Sequence, residues 1–496
     1  MKKIFALIAF SFLFISCSDD DIIEDPGIAP IVYTSGTADF TTYVSVGNSL
    51  TAGYSDNALF REGQENSMPV MLASNFSLAG GGDFKVPFMA DNLGGLTLGG
   101  SPLAGFGNRL FLSFTTGSPT PTPVSGAGTT EVSAPLTGPF NNMGVPGAKS
   151  YHLGFAGYGN VQLLPNANPY FIRMATSPTT TILADVLSQN PTFFTLWIGN
   201  NDVLGYATSG GAGVDHNITG NLNPATYGSS DITNTNTFAS VYNSILQTMT
   251  ASPSVSGGVV ANIPDVTTIP YFKTVPHNPV PLDAATAALV NGAYAQYNGG
   301  IQQYLAGSAI TPEEAALRTI SFSASATNAV VIIDEDLTPL PGLPNYRQAT
   351  ANDLLVLPSR SFIGTLANPN NPTSINGVAV PLADQWVLTP QEQESVATAI
   401  TGYNQIIATL AAQYNLALVD ANSYLTTVAA SGITLQDGSR VTATYATGGA
   451  FSLDGVHPSP RGYSLLSNLF IEQINAKYGS NLPGVNPLDF KGLYIN

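Results

Sequence analysis

Four apolar runs, each stopped by a turn-forming cluster, constrain this chain most. Residues 42–46 read Thr-Tyr-Val-Ser-Val and stop at Gly47-Asn48-Ser49-Leu50. Residues 192–198 read Thr-Phe-Phe-Thr-Leu-Trp-Ile and stop at Gly199-Asn200-Asn201-Asp202. Residues 257–263 end in Pro264-Asp265, and the run 416–420 ends in Asp420 itself. β-Branched and aromatic residues in short runs favour strands. Continuous rather than alternating hydrophobicity marks strands buried on both faces, as in a parallel sheet. Parallel neighbours need crossover connections, usually helices. Helical stretches are predicted at 181–189 and 237–250, leading into the second and third strands. The clearest helix spans 389–414, with Pro390 at its start and Glu392 and Glu394 in its first turn. Its Ile400, Tyr403, Ile407 and Leu410 recur at helical spacing, which reads as core packing. A last helix is expected over 462–478. Helix and strand alternate, so the fold class is α/β.

Composition narrows the function classes. The 496 residues carry 15 Lys+Arg against 32 Asp+Glu, a formal charge of −17, which argues against nucleic acid as a partner. Charged residues are 9% and hydrophobic residues 44%, which excludes wholesale disorder. A single Cys excludes a disulfide framework and any Cys-based zinc site. With 49 Gly and 35 Pro, long loops are expected around an ordinary core. They concentrate in three insertions, at about 78–138, 206–235 and 270–383. The last is expected to hold a helix at 283–305 and a strand at 329–334. No internal repeat and no interdomain linker is visible, so 31–496 reads as one domain whose loops form a cap.

The N-terminus reads as an address. Lys2 and Lys3 precede an apolar stretch from Ile4 to Ile15, too short to span a bilayer and suited to a signal peptide. Leu13-Phe14-Ile15-Ser16-Cys17 resembles the lipobox of bacterial lipoproteins, and Cys17 is the only cysteine. That resemblance implies a signal peptide over 1–16, lipidation at Cys17, and a lipid anchor holding the protein in the cell envelope; the acidic run just after Cys17 resembles the surface-export signal of some Gram-negative outer-membrane lipoproteins, with leaflet and face left open. Residues 17–30, with Asp19-Asp20-Asp21 and Glu24-Asp25, form an acidic tether.

Three short motifs carry the chemistry. Ser49 follows a buried strand, beside Gly47, where open α/β sheets bind ligands. Asn201 closes the second strand, and its side-chain N–H₂ is a neutral donor suited to an oxyanion. Asp454-Gly455-Val456-His457 places one of only four histidines three residues after a carboxylate, in a turn that lets the two meet. Each motif also has a bland reading: a strand–turn signal, an Asx turn, or a helix cap beside a surface His. Taken together, in the order Ser, Asn, Asp and His, they resemble the SGNH family, also called GDSL esterases and lipases. Its blocks are Gly-Asp-Ser-Leu, a backbone Gly, Gly-x-Asn-Asp and Asp-x-x-His. The second block matches Asn141 to Ala148, with Gly147 in the role and Gly144 close by. The departure is Asn48, where the family has Asp.

The resemblance implies a three-layer α/β sandwich around a mostly parallel sheet, flavodoxin-like in arrangement. It implies ester hydrolysis through an acyl-serine, with Ser49 as nucleophile, His457 as base and Asp454 as its orienting acid. Ser49 N–H, Gly147 N–H and Asn201 would form the oxyanion hole. No metal and no cofactor is expected: His152, His216 and His277 lack ligand-spaced neighbours. Asp265 is read as structural. The substrate is an ester of an acyl lipid or an acetylated glycan; Val86 to Met89 and Leu110 to Leu112 would either line an acyl pocket or pack. A rival reading is a surface-anchored binding lipoprotein on the same scaffold without turnover; a second is a purely structural envelope protein.

Overall fold

The computed structural model describes residues 31–115 and 117–495. The segments read as signal peptide and tether, with Cys17, lie outside the described residues. Five strands form one sheet: β1 (Tyr43–Gly47), β2 (Asn142–Gly144), β3 (Phe193–Trp197), β4 (Gly257–Ala261) and β5 (Ala417–Val419). The order is β2-β1-β3-β4-β5 and every pairing is parallel. The register sets Tyr43 beside Phe193, Phe193 beside Gly257, and Val259 beside Ala417.

Because successive side chains point to opposite faces, the continuous runs feed two cores. Val44, Val46, Phe194, Leu196 and Val260 enter one apolar cluster. Tyr43, Phe193, Trp197, Val259, Ala261 and Val419 enter another. The principal helices are α1 (Ser49–Ala52), α2 (Met68–Ser77), α3 (Asn201–Thr208), α4 (Thr235–Thr250), α5 (Ala284–Ala306), α6 (Pro390–Gln413) and α7 (Pro460–Tyr478). The first cluster is completed by Phe238, Tyr242 and Leu246 of α4 and by Ile400, Tyr403, Ile407 and Leu410 of α6. The second is completed by Met68, Leu72 and Phe76 of α2 and by Tyr463, Phe470, Ile471 and Ile474 of α7. Each such side chain contributes about 1.5–3 kcal/mol when fully buried. No helix of the described residues is long and apolar enough to cross a membrane.

The four strands predicted for the sheet are all present, β1 reaching one residue past its run to Gly47, and the strand expected at 329–334 is the short Val331–Ile333. The fifth, β2, carries no comparable run. It is three residues long, and its Asn142 is held by polar bonds rather than apolar packing: Nδ2 donates to Thr51 O at 3.1 Å, and Oδ1 accepts from Gly144 N at 3.0 Å. The predicted helices are also present; the one expected over 181–189 is the short Ile182–Leu187.

The three insertions differ in kind. The first folds into short strands, among them Leu96–Leu98, Leu110–Ser113 and Thr120–Pro123. The second is a polar loop with a short α-helix, His216–Thr219, and a 3-10 turn, Pro224–Thr226. The third has a core of its own, in which Val290, Tyr294 and Ile301 of α5 pack with Val280, Val331, Ile332 and Leu382.

Strand order decides where a ligand can sit. The chain passes from β1 to β2 on one side, then returns across to β3 on the other. Such a reversal leaves a crevice beyond the carboxyl ends of the two diverging strands. Here those strands are β1 and β3, and the residues just past them are Ser49 and Asn201.

Candidate active site

Asn48 turns the chain out of β1. Its Oδ1 caps α1 by accepting Leu50 N–H at 3.0 Å, which leaves Ser49 as the first helical residue. The other half of its amide faces Asn200: Nδ2 donates to Asn200 Oδ1 at 3.1 Å, joining the exits of β1 and β3. A carboxylate at position 48 keeps the cap but cannot make that donation. The departure from Asp is thus matched by the orientation of Asn200.

His457 comes from the other end of the chain and meets Ser49 directly. Its Nε2 lies 2.9 Å from Ser49 Oγ, and its Nδ1 lies 2.9 Å from Asp454 Oδ2. An ionised carboxylate only accepts, so Nδ1 carries the ring proton and Nε2 is left to accept from the serine hydroxyl. Burial by itself would raise the Asp454 pKa, but His457 and hydrogen bonds to the carboxylate hold it below the usual range. Those bonds are numerous. Oδ1 accepts the N–H of Val456 and of His457, both at 2.8 Å, and Oδ2 accepts Asn57 N–H at 3.0 Å. The Tyr54 ring packs on the imidazole, centroids 4.6 Å apart.

The loop after β2 brings the third component. Gly144 ends the strand, and a Cβ there would stand 2.3 Å from Ala52 N; its role is close packing of α1 on the sheet. Gly147 sits at φ +83°, a conformation L residues rarely adopt, and lines the cavity over Ser49. Of the two glycines, Gly147 lines the cavity while Gly144 packs α1 on the sheet. Asn201, the first residue of α3, donates one Nδ2 hydrogen to Ala148 O at 2.9 Å and keeps a second N–H. Among the described residues, no acceptor bonds the Ser49 or Gly147 backbone N–H. Ser49, Gly147 and Asn201 all line the same cavity.

Asp202, the last residue of that motif, does not reach the cavity. It is fully buried and receives Ser150 N–H at 2.8 Å and Ser150 Oγ at 2.7 Å, pinning the Gly147 loop to α3. Asp265 caps its own turn, accepting Thr267 N–H at 2.9 Å. His216 pairs with Asp231 at 2.8 Å, and His152 accepts Lys149 N–H at 3.0 Å. Burial pushes the His152 pKa down to about 3, so the ring is neutral.

The cavity over these groups has a volume of about 1050 Å³. Its walls are mainly aromatic and amide: Tyr151, Tyr158, Tyr170, Tyr227, Asn168 and Asn223. The first insertion supplies Gly105 and Phe106, the second supplies Thr208, Asn223 to Ala225 and Tyr227 to Ser229, and of the third's described residues only Tyr271 contributes. Neither Val86 to Met89 nor Leu110 to Leu112 lines it; Val86, Met89 and Leu112 are buried in packing.

Sequence reasoning missed the support of Asp454. Asp56 and Asn57 occupy a left-handed turn, at φ 51° and 66°. Asp56 Oδ1 accepts Leu453 N–H at 2.9 Å and its own N–H donates to Ser452 Oγ at 2.9 Å, while Asn57 bonds Asp454 itself. Burial raises the Asp56 carboxyl to about 7. The only signal was a polar turn shortly after Ser49, which many surface loops share.

Fold and site together define an α/β protein with a Ser–His–Asp hydrogen-bonded chain at the carboxyl edge of a parallel sheet. Among known proteins, no family model, no curated sequence and no solved structure matches the chain.

Proposed function

We propose that this protein is a serine hydrolase of carboxylic esters, of the SGNH type, built as a three-layer α/β sandwich with enlarged loops. The observation that carries the reading is the continuous chain from Asp454 through His457 to Ser49, with both links 2.9 Å, opening into a cavity of about 1050 Å³.

Ser49 Oγ attacks the ester carbonyl as His457 Nε2 takes its proton, forming the C–O bond of a tetrahedral adduct. Asp454 keeps the ring in the accepting tautomer and stabilises the imidazolium. The adduct's oxyanion lies among Ser49 N–H, Gly147 N–H and the free Asn201 N–H, each such donor supplying about 3–4 kcal/mol in the transition state. His457 then protonates the leaving alcohol, and the acyl–Ser49 ester remains. A water deprotonated by His457 attacks that ester, releasing the acid and restoring Ser49. An acyl lipid or an acetylated glycan fits a cavity of this size, and the aromatic and amide walls accept either.

The test is twofold. Wild-type protein should react with a fluorophosphonate probe and turn over short p-nitrophenyl esters; Ser49→Ala and His457→Ala should do neither. Absence of labelling in folded wild-type protein would instead favour a binding lipoprotein on the same scaffold.

A further inference from the structure

Outside the cavity, three carboxylates converge: Glu335 in the third insertion, Asp384 just past it, and Glu392 in the first turn of α6. One oxygen from each lies within 4.8 Å of the others. Among the described residues none of the three forms an ion pair with Lys, Arg or His. Glu392 is 5% exposed. Its Oε2 accepts Thr389 N–H at 2.6 Å, completing a capping box. Its Oε1 is sealed from water and has no hydrogen-bond partner. Room for that oxygen exists because residue 211 is glycine: a Cβ there would stand 1.9 Å from Oε1. Burying a carboxylate oxygen without a partner is costly, and gathering two further carboxylates around it adds repulsion. Burial, together with the neighbouring carboxylates, pushes the carboxyls of Glu392 and Asp384 above the usual range.

We propose that Glu335, Asp384 and Glu392 bind a hard divalent cation, Ca²⁺, which fastens the third insertion to the start of α6 beside Gly211. An all-oxygen, carboxylate-only set selects a hard ion over zinc or copper. Ca²⁺ accepts irregular geometry at roughly 2.3–2.6 Å, whereas Mg²⁺ demands a tighter octahedron and sheds its waters reluctantly. Oxygens within 4.8 Å of one another can share a single ion of the larger radius. Neither His nor Cys spacing marks this site, since its oxygens lie at positions 335, 384 and 392. The inference is independent of the esterase reading.

The experiment uses the intact protein, stripped of metal with EDTA and desalted, then titrated with CaCl₂ by calorimetry and melted with and without CaCl₂. One equivalent of Ca²⁺ should bind, and the Tm should rise by about 2 °C or more at saturation. Glu335→Gln, at an exposed position that leaves the fold intact, should weaken binding by about tenfold or more; Glu335→Gln/Asp384→Asn should abolish both binding and the Tm rise. Wild-type protein that neither binds Ca²⁺ nor shifts its Tm overturns the proposal and leaves Glu392 and Asp384 sharing a proton. Ca²⁺ binding that survives the double substitution overturns the location, and tighter binding of Mg²⁺ overturns the ion.

Discussion

Asp454→Asn isolates the orienting role of the carboxylate. In the wild type, Oδ1 collects the N–H of Val456 and His457 while Oδ2 faces His457 Nδ1 and Asn57 N–H. An Asn has one acceptor oxygen, and the two backbone N–H groups at 2.8 Å hold it on their side. Its NH₂ then faces Nδ1 and Asn57 N–H, both donors in the wild type. The ring resolves the conflict by placing its proton on Nε2, where it points at Ser49 Oγ and cannot act as base. Returning to the productive tautomer would lose a hydrogen bond and oppose two buried donors, at about 3–5 kcal/mol. At 1.36 kcal/mol per decade that is about 10²–10⁴ in kcat. Loss of the charge that stabilises the imidazolium pushes the expectation to the upper end, about 10⁴, the order known for this change in Ser-His-Asp triads. The unmatched Asn57 N–H should cost a further ~1–3 kcal/mol of folding stability. The assay is kcat and KM on p-nitrophenyl acetate, with circular dichroism to confirm folding. A folded variant whose kcat stays within about tenfold of wild type would refute the tautomer argument.

Three other outcomes follow from the same geometry. Asn201→Ala should lower kcat by about 10²–10³ with KM little changed, since its free N–H serves the oxyanion; a change confined to KM counts against that role. Asp56 should make stability fall as pH rises: its folded pKa of about 7 lies above the unfolded value of 3.8, so the folded state holds the extra proton between them. Asp56→Asn, which keeps an acceptor for Leu453 N–H, should flatten melting temperature against pH over that window, and an unchanged slope would show that Asp56 does not titrate there. Cys17→Ser should move the protein from the membrane to the soluble fraction and remove metabolic palmitate labelling; a variant that stays on the membrane argues against the lipid anchor.

Much of the architecture was legible because burial on both faces writes itself into composition. The runs at 42–46 and 192–198 became β1 and β3 because a strand in the middle of a parallel sheet has no polar face to display. The capping signals around Pro390 and Glu392 marked α6 for the same local reason. β2 left no such trace, since it is three residues long and only Met143 of the three adds apolar burial, beside the Asn142 side-chain hydrogen bonds.

The amino-acid order alone determined the chemistry on offer: one Ser after a strand, one Asn after another, and an Asp–His pair in a turn, each tied to a local stop signal. It could not decide that Ser49 and His457 touch, because that contact spans 408 positions and exists only once β1 and the final turn are packed to the same edge of the sheet. Nor could it show that Gly147 rather than Gly144 lines the cavity, place Asp56 and Asn57 behind Asp454, or gather Glu335, Asp384 and Glu392. Local propensity acts over a few residues, whereas each of those arrangements depends on which side of the β1–β3 crevice a distant loop comes to rest.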